Sequence, residues 1–255
     1  MPSRAILRGR EFKRDLVMTE RVRPKARDLI TQTWQSQANL SFFLGLLVIS
    51  IFVLPAISAK PATIRLVSDI VGSIMVMAGV AIGWGRRPLL IAGLAVGVPT
   101  LLVRWLEYLV PGRINPVWDE AWTIATVLVI GYILLAQVFR DGPINFVRVQ
   151  GAVAAYLLLG VAYAHAYQIS EYLNSASVTS TEGPLNSLAD WLYYSFATLS
   201  TLGYGDIIPT SKVSRLLAIG EAISGQLFLA ILIARLVGMA VSEAGVSGHS
   251  GHREA

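Results

Sequence analysis

Cysteine is absent from the 255 residues. That excludes a disulfide framework, a thiolate metal site and a cysteine nucleophile. Charge is scarce as well: only 15% of residues are Asp, Glu, Lys or Arg, against roughly 25% in an ordinary soluble domain. No Walker A, HExxH or nucleophile-elbow pattern occurs. The first residues lack the short apolar core and small-residue cleavage site of a signal peptide. Two repeated halves with broken spans, the mark of many carriers, are not found either. An enzyme or a transporter therefore has no motif to rest on, and no organic cofactor is implied.

What remains is apolar. The chain is 54% hydrophobic with a mean hydropathy of +0.59, the composition of a membrane protein. The net charge of +5 suggests a nucleic-acid partner at first sight. Many of the basic residues, however, lie in one block from Arg4 to Arg27. Such a block beside a hydrophobic span sets topology and holds the N-terminus in the cytosol. It also suits anionic lipid. No nucleic acid is expected.

A helix needs about 20 apolar residues to cross the hydrocarbon. Six stretches meet this: 40–58, 64–84, 88–110, 121–139, 147–167 and 213–241. The predicted fold class is an all-α membrane protein with both termini cytosolic, in a plasma or inner cell membrane. Four segments follow: a basic cytosolic stretch 1–37, a four-helix membrane domain 38–142, a two-span domain 143–242 and a short cytosolic tail 243–255. Glycines spaced by four (Gly79 and Gly83; Gly93 and Gly97) mark helix-packing faces within the chain. Pro99 is expected to kink the third span. Asp69 and Arg104 enter spans two and three at similar depth from the outer side, so the two charges are expected to pair. Glu107 is the rival partner for the arginine. His165 reads as a satisfied buried histidine rather than a pH sensor. His249 and His252, in a Gly/Ser tail, read as disorder rather than a metal site.

Between spans five and six lies "LADWLYYSFATLS", apolar and aromatic but too short to cross. Ser187 is placed to cap it, with Asp190 three residues later. Its C-terminal dipole would point to mid-membrane and favour a cation. "TLGYGD" follows. Positive φ at Gly203 and Gly205 would turn successive carbonyls to one side. Four chains around an axis would then stack rings of oxygen that replace a cation's hydration shell.

"TLGYGD" resembles the selectivity signature of tetrameric potassium channels, with Leu202 where valine or isoleucine is commoner. Tyr193 and Tyr194 stand where many members have two tryptophans. Pro209 follows the filter as in many members, and "SGQLFLAILIARLVG" is similar to the inner helix of small bacterial ones. The resemblance covers about residues 145–240. It implies a homotetramer with one re-entrant pore helix and one extended filter per subunit. Thr201, Leu202, Gly203 and Tyr204 would offer backbone carbonyls to K+, with Gly205 completing the filter. Asp206 would anchor its outer end, supported by Tyr193 and Tyr194. Gly225 falls at the inner-helix hinge, and Gln226 beside it faces the cavity. Glu221, a buried acid one turn above Gly225, is expected near the re-entrant helix, protonated or hydrogen-bonded, or else in gating.

Six spans with the pore last is the layout of voltage-gated channels, whose fourth span carries regular arginines. Here Ala121 to Phe139 holds no charge, so steep voltage gating is not expected. The expected function is passive, potassium-selective flux. A weakly selective cation channel and a non-conducting regulatory subunit are the alternatives.

Overall fold

The computed structural model describes residues 38–57, 61–83, 86–139, 146–181 and 183–250. All that follows concerns the unit Asn39–Ala255. The basic segment 1–37, Lys60, Arg140 and His252 lie outside the described residues.

Among the described residues, five helices are long and apolar enough to cross a membrane: α2 (Pro61–Ile82), α3 (Arg87–Leu109), α4 (Pro116–Val138), α5 (Phe146–Leu173) and α7 (Lys212–Ser250). The chain is a multi-pass membrane protein. The first expected span is shorter than its apolar run. It forms α1 (Ala38–Val53) and ends in a π-turn over Ile49–Val53, where the Leu54 N–H donates to Ile49 O at 2.9 Å. Pro55 cannot donate to a continuing ladder. At ~1.5 Å per residue α1 is roughly 24 Å long, short of a hydrocarbon core of about 30 Å.

Local chemistry sets the other boundaries. Asn115 caps α4 by accepting the Val117 N–H at 3.0 Å, with Pro116 next and Asp119 in the first turn, where an acid complements the helix dipole. α3 runs through Pro99 without interruption. α7 continues to Ser250, so the backbone is helical through residues 243–250, where composition suggested an unstructured tail.

Residues of α1, α4 and α5 form one core, with Phe43, Leu47, Ile130, Leu134, Ala154 and Leu158 at its centre. α2 and α3 join through small-residue contacts. A Cβ at Gly93 or Gly97 would lie 3.2 Å from Val80 or 3.0 Å from Val76, so both glycines are used for packing within the chain. Thr100 ties α3 to α4: its hydroxyl lies 2.7 Å from that of Thr126 and donates to Trp122 O. A cavity of about 350 Å³ runs through this bundle, from Phe43 and Met75 past Arg104 and His165 to Ser187.

Two short strands were not foreseen. β1 (Val178–Ser180) pairs antiparallel with β2 (Ile207–Pro209), in the register Val178↔Pro209, Thr179↔Ile208 and Ser180↔Ile207. Three-residue strands carry too little alternation to be read from sequence. The remaining helix, α6 (Leu188–Leu199), has 12 residues and lies against α5 and α7. Trp191, Leu192 and Tyr194 of α6 are buried with Ala164 and Tyr167 of α5 and Val178 of β1.

Candidate functional site

α6 begins with a complete capping box. Ser187 Oγ accepts the Asp190 N–H at 3.3 Å, and Asp190 Oδ2 accepts the Ser187 N–H at 3.0 Å. The helix ends at Leu199, where the chain turns back on it. The Ala197 carbonyl accepts N–H groups from both Leu202 (2.8 Å) and Gly203 (3.1 Å). The segment after α6 is thus tied to the helix end by main-chain bonds before any side chain acts.

The backbone from Thr201 to Gly205 alternates in hand. φ is +60° at Thr201, +53° at Gly203 and +81° at Gly205, and is not positive at Leu202 or Tyr204. Such alternation lets successive peptide planes turn their carbonyls toward one side. The two glycines adopt it cheaply. Thr201 does not, because a β-branched residue at positive φ is an outlier that its surroundings must hold. The sequence marked the glycines through their permissiveness but gave no sign that Thr201 shares their conformation.

Beyond Gly205 the chain is held from several directions. The Tyr193 hydroxyl donates to Asp206 Oδ2 at 2.7 Å, and the Tyr193 and Tyr204 rings stack at 6° with centroids 6.4 Å apart. The Asp206 carbonyl accepts the Thr181 N–H at 2.9 Å, and β2 then pairs with β1. Arg215 Nε donates to Pro209 O at 3.2 Å. Tyr194 points elsewhere: it is buried against Tyr167, with ring centroids 4.7 Å apart. Of the two tyrosines, therefore, only Tyr193 touches Asp206.

β1 is itself anchored by Glu171, at the end of α5. Its carboxylate accepts N–H groups from Ala176 (2.8 Å), Ser177 (3.0 Å) and Val178 (3.3 Å). Ser177 O in turn accepts from Thr210 N and Ser211 N, and from Ser214 Oγ of α7 at 2.6 Å. Sequence reasoning passed over Glu171 and Ser177. Their one signal was an acid followed by a run of small hydroxyl residues, which reads as an ordinary polar loop.

Behind α6, Glu221 of α7 is fully buried. Ser195 Oγ lies 2.5 Å from its Oε1, and the Tyr167 hydroxyl donates to its Oε2 at 2.7 Å. Gly225, one turn on, lies where α7 meets the end of α6: a Cβ there would strike the Leu199 carbonyl oxygen and come within 2.9 Å of Leu199 Cδ1. α7 is helical through this position, and the close approach to Leu199 by itself accounts for the glycine in this conformation. Gln226 is exposed in the single chain.

The charged residues of the four-helix part pair as the depths suggested. Arg104 Nε lies 3.6 Å from Asp69 Oδ1, and Arg104 Nη2 donates to Thr123 Oγ1 at 3.2 Å. Tyr108 donates to Asp69 Oδ2 at 2.6 Å. Glu107 is engaged elsewhere, accepting the Gly112 N–H at 2.9 Å. His165 Nδ1 bonds Glu120 Oε2 and so joins α5 to α4, a partner the sequence did not reveal. Among the described residues, no group of three or more His, Asp or Glu could hold a metal ion.

Comparison with known proteins places a similarity on this region. Residues 152–242 match a family described as "Ion channel", which supports an ion channel rather than an enzyme. The matched stretch runs from α5 through α6 into α7. The chain is 36% identical over 83 residues to two pore potassium channel c of Oryza sativa subsp. japonica, covering 32% of this chain and 17% of that protein. It is 35% identical over 99 residues to two-pore potassium channel 1 of Arabidopsis thaliana, covering 38% of this chain and 24% of that one. Protein LctB of Bacillus caldotenax is 34% identical over 87 residues, covering 32% of this chain and 64% of that protein. The match thus spans less than a quarter of the length of either plant relative. No solved structure matches the chain.

Proposed function

We propose that the chain is one subunit of a homotetrameric, potassium-selective channel that passes K+ down its gradient. The observation that carries this reading is the alternating backbone of Thr201, Gly203 and Gly205 at the end of a short capped helix. Four such segments around one axis form stacked carbonyl rings from Thr201, Leu202, Gly203 and Tyr204. These rings replace the water around a dehydrated cation. The names of the two plant relatives support K+ as that cation. Here K+ is the cargo, and no organic cofactor takes part.

In this reading α5 is the outer helix, α6 the re-entrant pore helix and α7 the inner helix. Tyr193 and Asp206 hold the outer mouth of the filter. Gly225 lets α7 approach the pore helix, and Gln226 faces the central cavity. α1, shorter than the hydrocarbon core, is read as the first of six spans, accommodated by local thinning of the bilayer, in a plasma or inner membrane with both termini in the cytosol and the basic segment 1–37 against anionic lipid. The helices before the pore are not a steep voltage sensor, because α4 carries no arginine or lysine.

The test is reconstitution of the purified chain in liposomes with a K+ gradient against Na+. A reversal potential near that of K+ is expected. Equal K+ and Na+ permeability from a folded tetramer would favour the alternative of a weakly selective cation channel. No flux would favour a regulatory subunit.

A further inference from the structure

The polar cluster at Glu221 has one more short oxygen–oxygen contact than its hydroxyls have hydrogens to fill. Three short oxygen–oxygen contacts meet there. Tyr167 Oη lies 2.7 Å from Glu221 Oε2, Ser195 Oγ lies 2.5 Å from Glu221 Oε1, and the same Ser195 Oγ lies 2.7 Å from the Gly160 carbonyl oxygen. Tyrosine and serine supply one hydroxyl hydrogen each. The Tyr167 hydrogen serves its own contact. The single Ser195 hydrogen is then left to serve two acceptors, and at 2.5 and 2.7 Å both lines need a hydrogen of their own. If Glu221 were ionised, one of these pairs would be two bare oxygens pressed together in a fully buried site.

We infer that Glu221 is held as a neutral carboxylic acid whose proton sits on Oε1, and that this acid is a positioning residue for the pore helix. The proton completes a directed chain. Glu221 Oε1–H donates to Ser195 Oγ, Ser195 Oγ–H donates to Gly160 O, and Tyr167 Oη–H donates to Oε2. Every buried polar atom of the set is then paired, the condition for such a network to rigidify its surroundings. The surroundings agree with a neutral group. The side chains bonded to Glu221 are a hydroxyl and a phenol, Ser195 of α6 and Tyr167 of α5. Burying an unpaired charge in such a site is costly.

The position of the clasp gives it its role. It joins α7 to the middle of α6 and, through Gly160 and Tyr167, to α5. Ser195 lies on α6 four residues before Leu199, after which the alternating backbone begins. The clasp therefore fixes the depth and rotation of the helix that carries the filter. This second half of the inference rests on the channel reading; the proton count does not.

Two measurements on the full chain in liposomes separate them. The first is the infrared difference between wild type and Glu221→Gln at neutral pH. Loss of a carboxylic-acid C=O stretch in the variant is expected. Loss of a carboxylate stretch instead overturns the neutral acid, whether or not the protein conducts. The second is the ratio of K+ to Na+ permeability. Glu221→Ala is expected to lower it at least tenfold, and Glu221→Gln, which can donate to Ser195 and accept from Tyr167, to restore it to within about twofold of wild type. A Glu221→Ala tetramer that assembles and keeps the wild-type ratio refutes the positioning role. A wild type that passes no K+ at all refutes the channel reading and with it the positioning role, but leaves the infrared result standing.

Discussion

Substituting Gly225 by alanine distinguishes a packing glycine from a hinge. The added Cβ would meet the Leu199 carbonyl oxygen and would lie 2.9 Å from Leu199 Cδ1 and 3.3 Å from the Leu199 carbonyl carbon. Carbon atoms pack at about 3.5–4.0 Å, so α7 and the end of α6 must separate by something on the order of 1 Å. Overpacking of this kind costs about 1–3 kcal/mol, and alanine returns about 1 kcal/mol as the better helix former. The net is about 0–2 kcal/mol per chain, and up to about 8 kcal/mol if four chains must shift together. The strain falls on Leu199, two residues before the alternating backbone. Gly225→Ala is therefore expected to lower the ratio of K+ to Na+ permeability, read from reversal potentials in planar bilayers. Gly238→Ala is the control: it lies on the same helix, and a Cβ there meets nothing within 4 Å, so an unchanged ratio is expected. A Gly225→Ala channel with wild-type selectivity and an altered open probability alone would show that Gly225 works by bending, and the packing argument would fail.

Four further outcomes are expected. Gly203→Ala and Gly205→Ala should each abolish selective flux through backbone conformation alone, since a Cβ at either site has open space but positive φ costs an L-residue roughly 1–2 kcal/mol; unaltered K+ selectivity in both would remove the basis for the filter. Arg104→Gln should lower the thermal midpoint in detergent by leaving Asp69 short of its cation. The pair is largely buried, so the loss should fall between exposed and buried ion pairs, at about 1–3 kcal/mol. Adding Asp69→Asn should recover part of it, and strict additivity would argue against the pairing. Tyr193→Phe removes a hydroxyl–carboxylate bond to Asp206 worth about 1.5 kcal/mol, the low end for a charged acceptor because the tyrosine is half exposed; a tetramer no more easily dissociated by heat would contradict a supporting role. The conductance–voltage curve in symmetric K+ should be shallow, because each charge moved through the field supplies only ~2.3 kcal/mol per 100 mV and the stretch Ala121 to Phe139 offers none. A steep sigmoid abolished by neutralising Arg104 or Arg140 would reverse that reading.

The features legible in the sequence were those written in strong local chemistry. Apolar length gave the long helices. Ser187 and Asp190 gave the start of α6, because a capping box is a short-range pattern. Matching depths of Asp69 and Arg104 gave their pairing, since charge inside a span has few alternatives. The features missed depend on distant parts of the chain. Glu171 reaches three amides of a turn, and no spacing rule announces that. Tyr167, Ser195 and Glu221 come from three helices and meet only when those helices pack. His165 finds Glu120 across 45 positions of chain. Thr201 breaks the expectation that positive φ belongs to glycine, at the point where the Leu202 and Gly203 N–H groups turn back onto Ala197 O. α1 fell short of its apolar run because a proline stops a backbone ladder even where hydropathy continues.

The π-turn in α1 has a consequence for comparing this chain with its relatives. A π-turn places one additional residue in a helix without adding a turn. The chain leaving the helix at Leu54 is therefore rotated by about 100° about the helix axis from where an uninterrupted α-helix would release it. A related chain that lacks the turn would be one residue shorter between Asn39 and Pro55. Aligning the two without a gap would match Phe43 and Leu47 correctly and shift every position from Leu54 onward by one residue. Deleting one residue between Ile49 and Val53 is the smallest edit that would convert one geometry into the other.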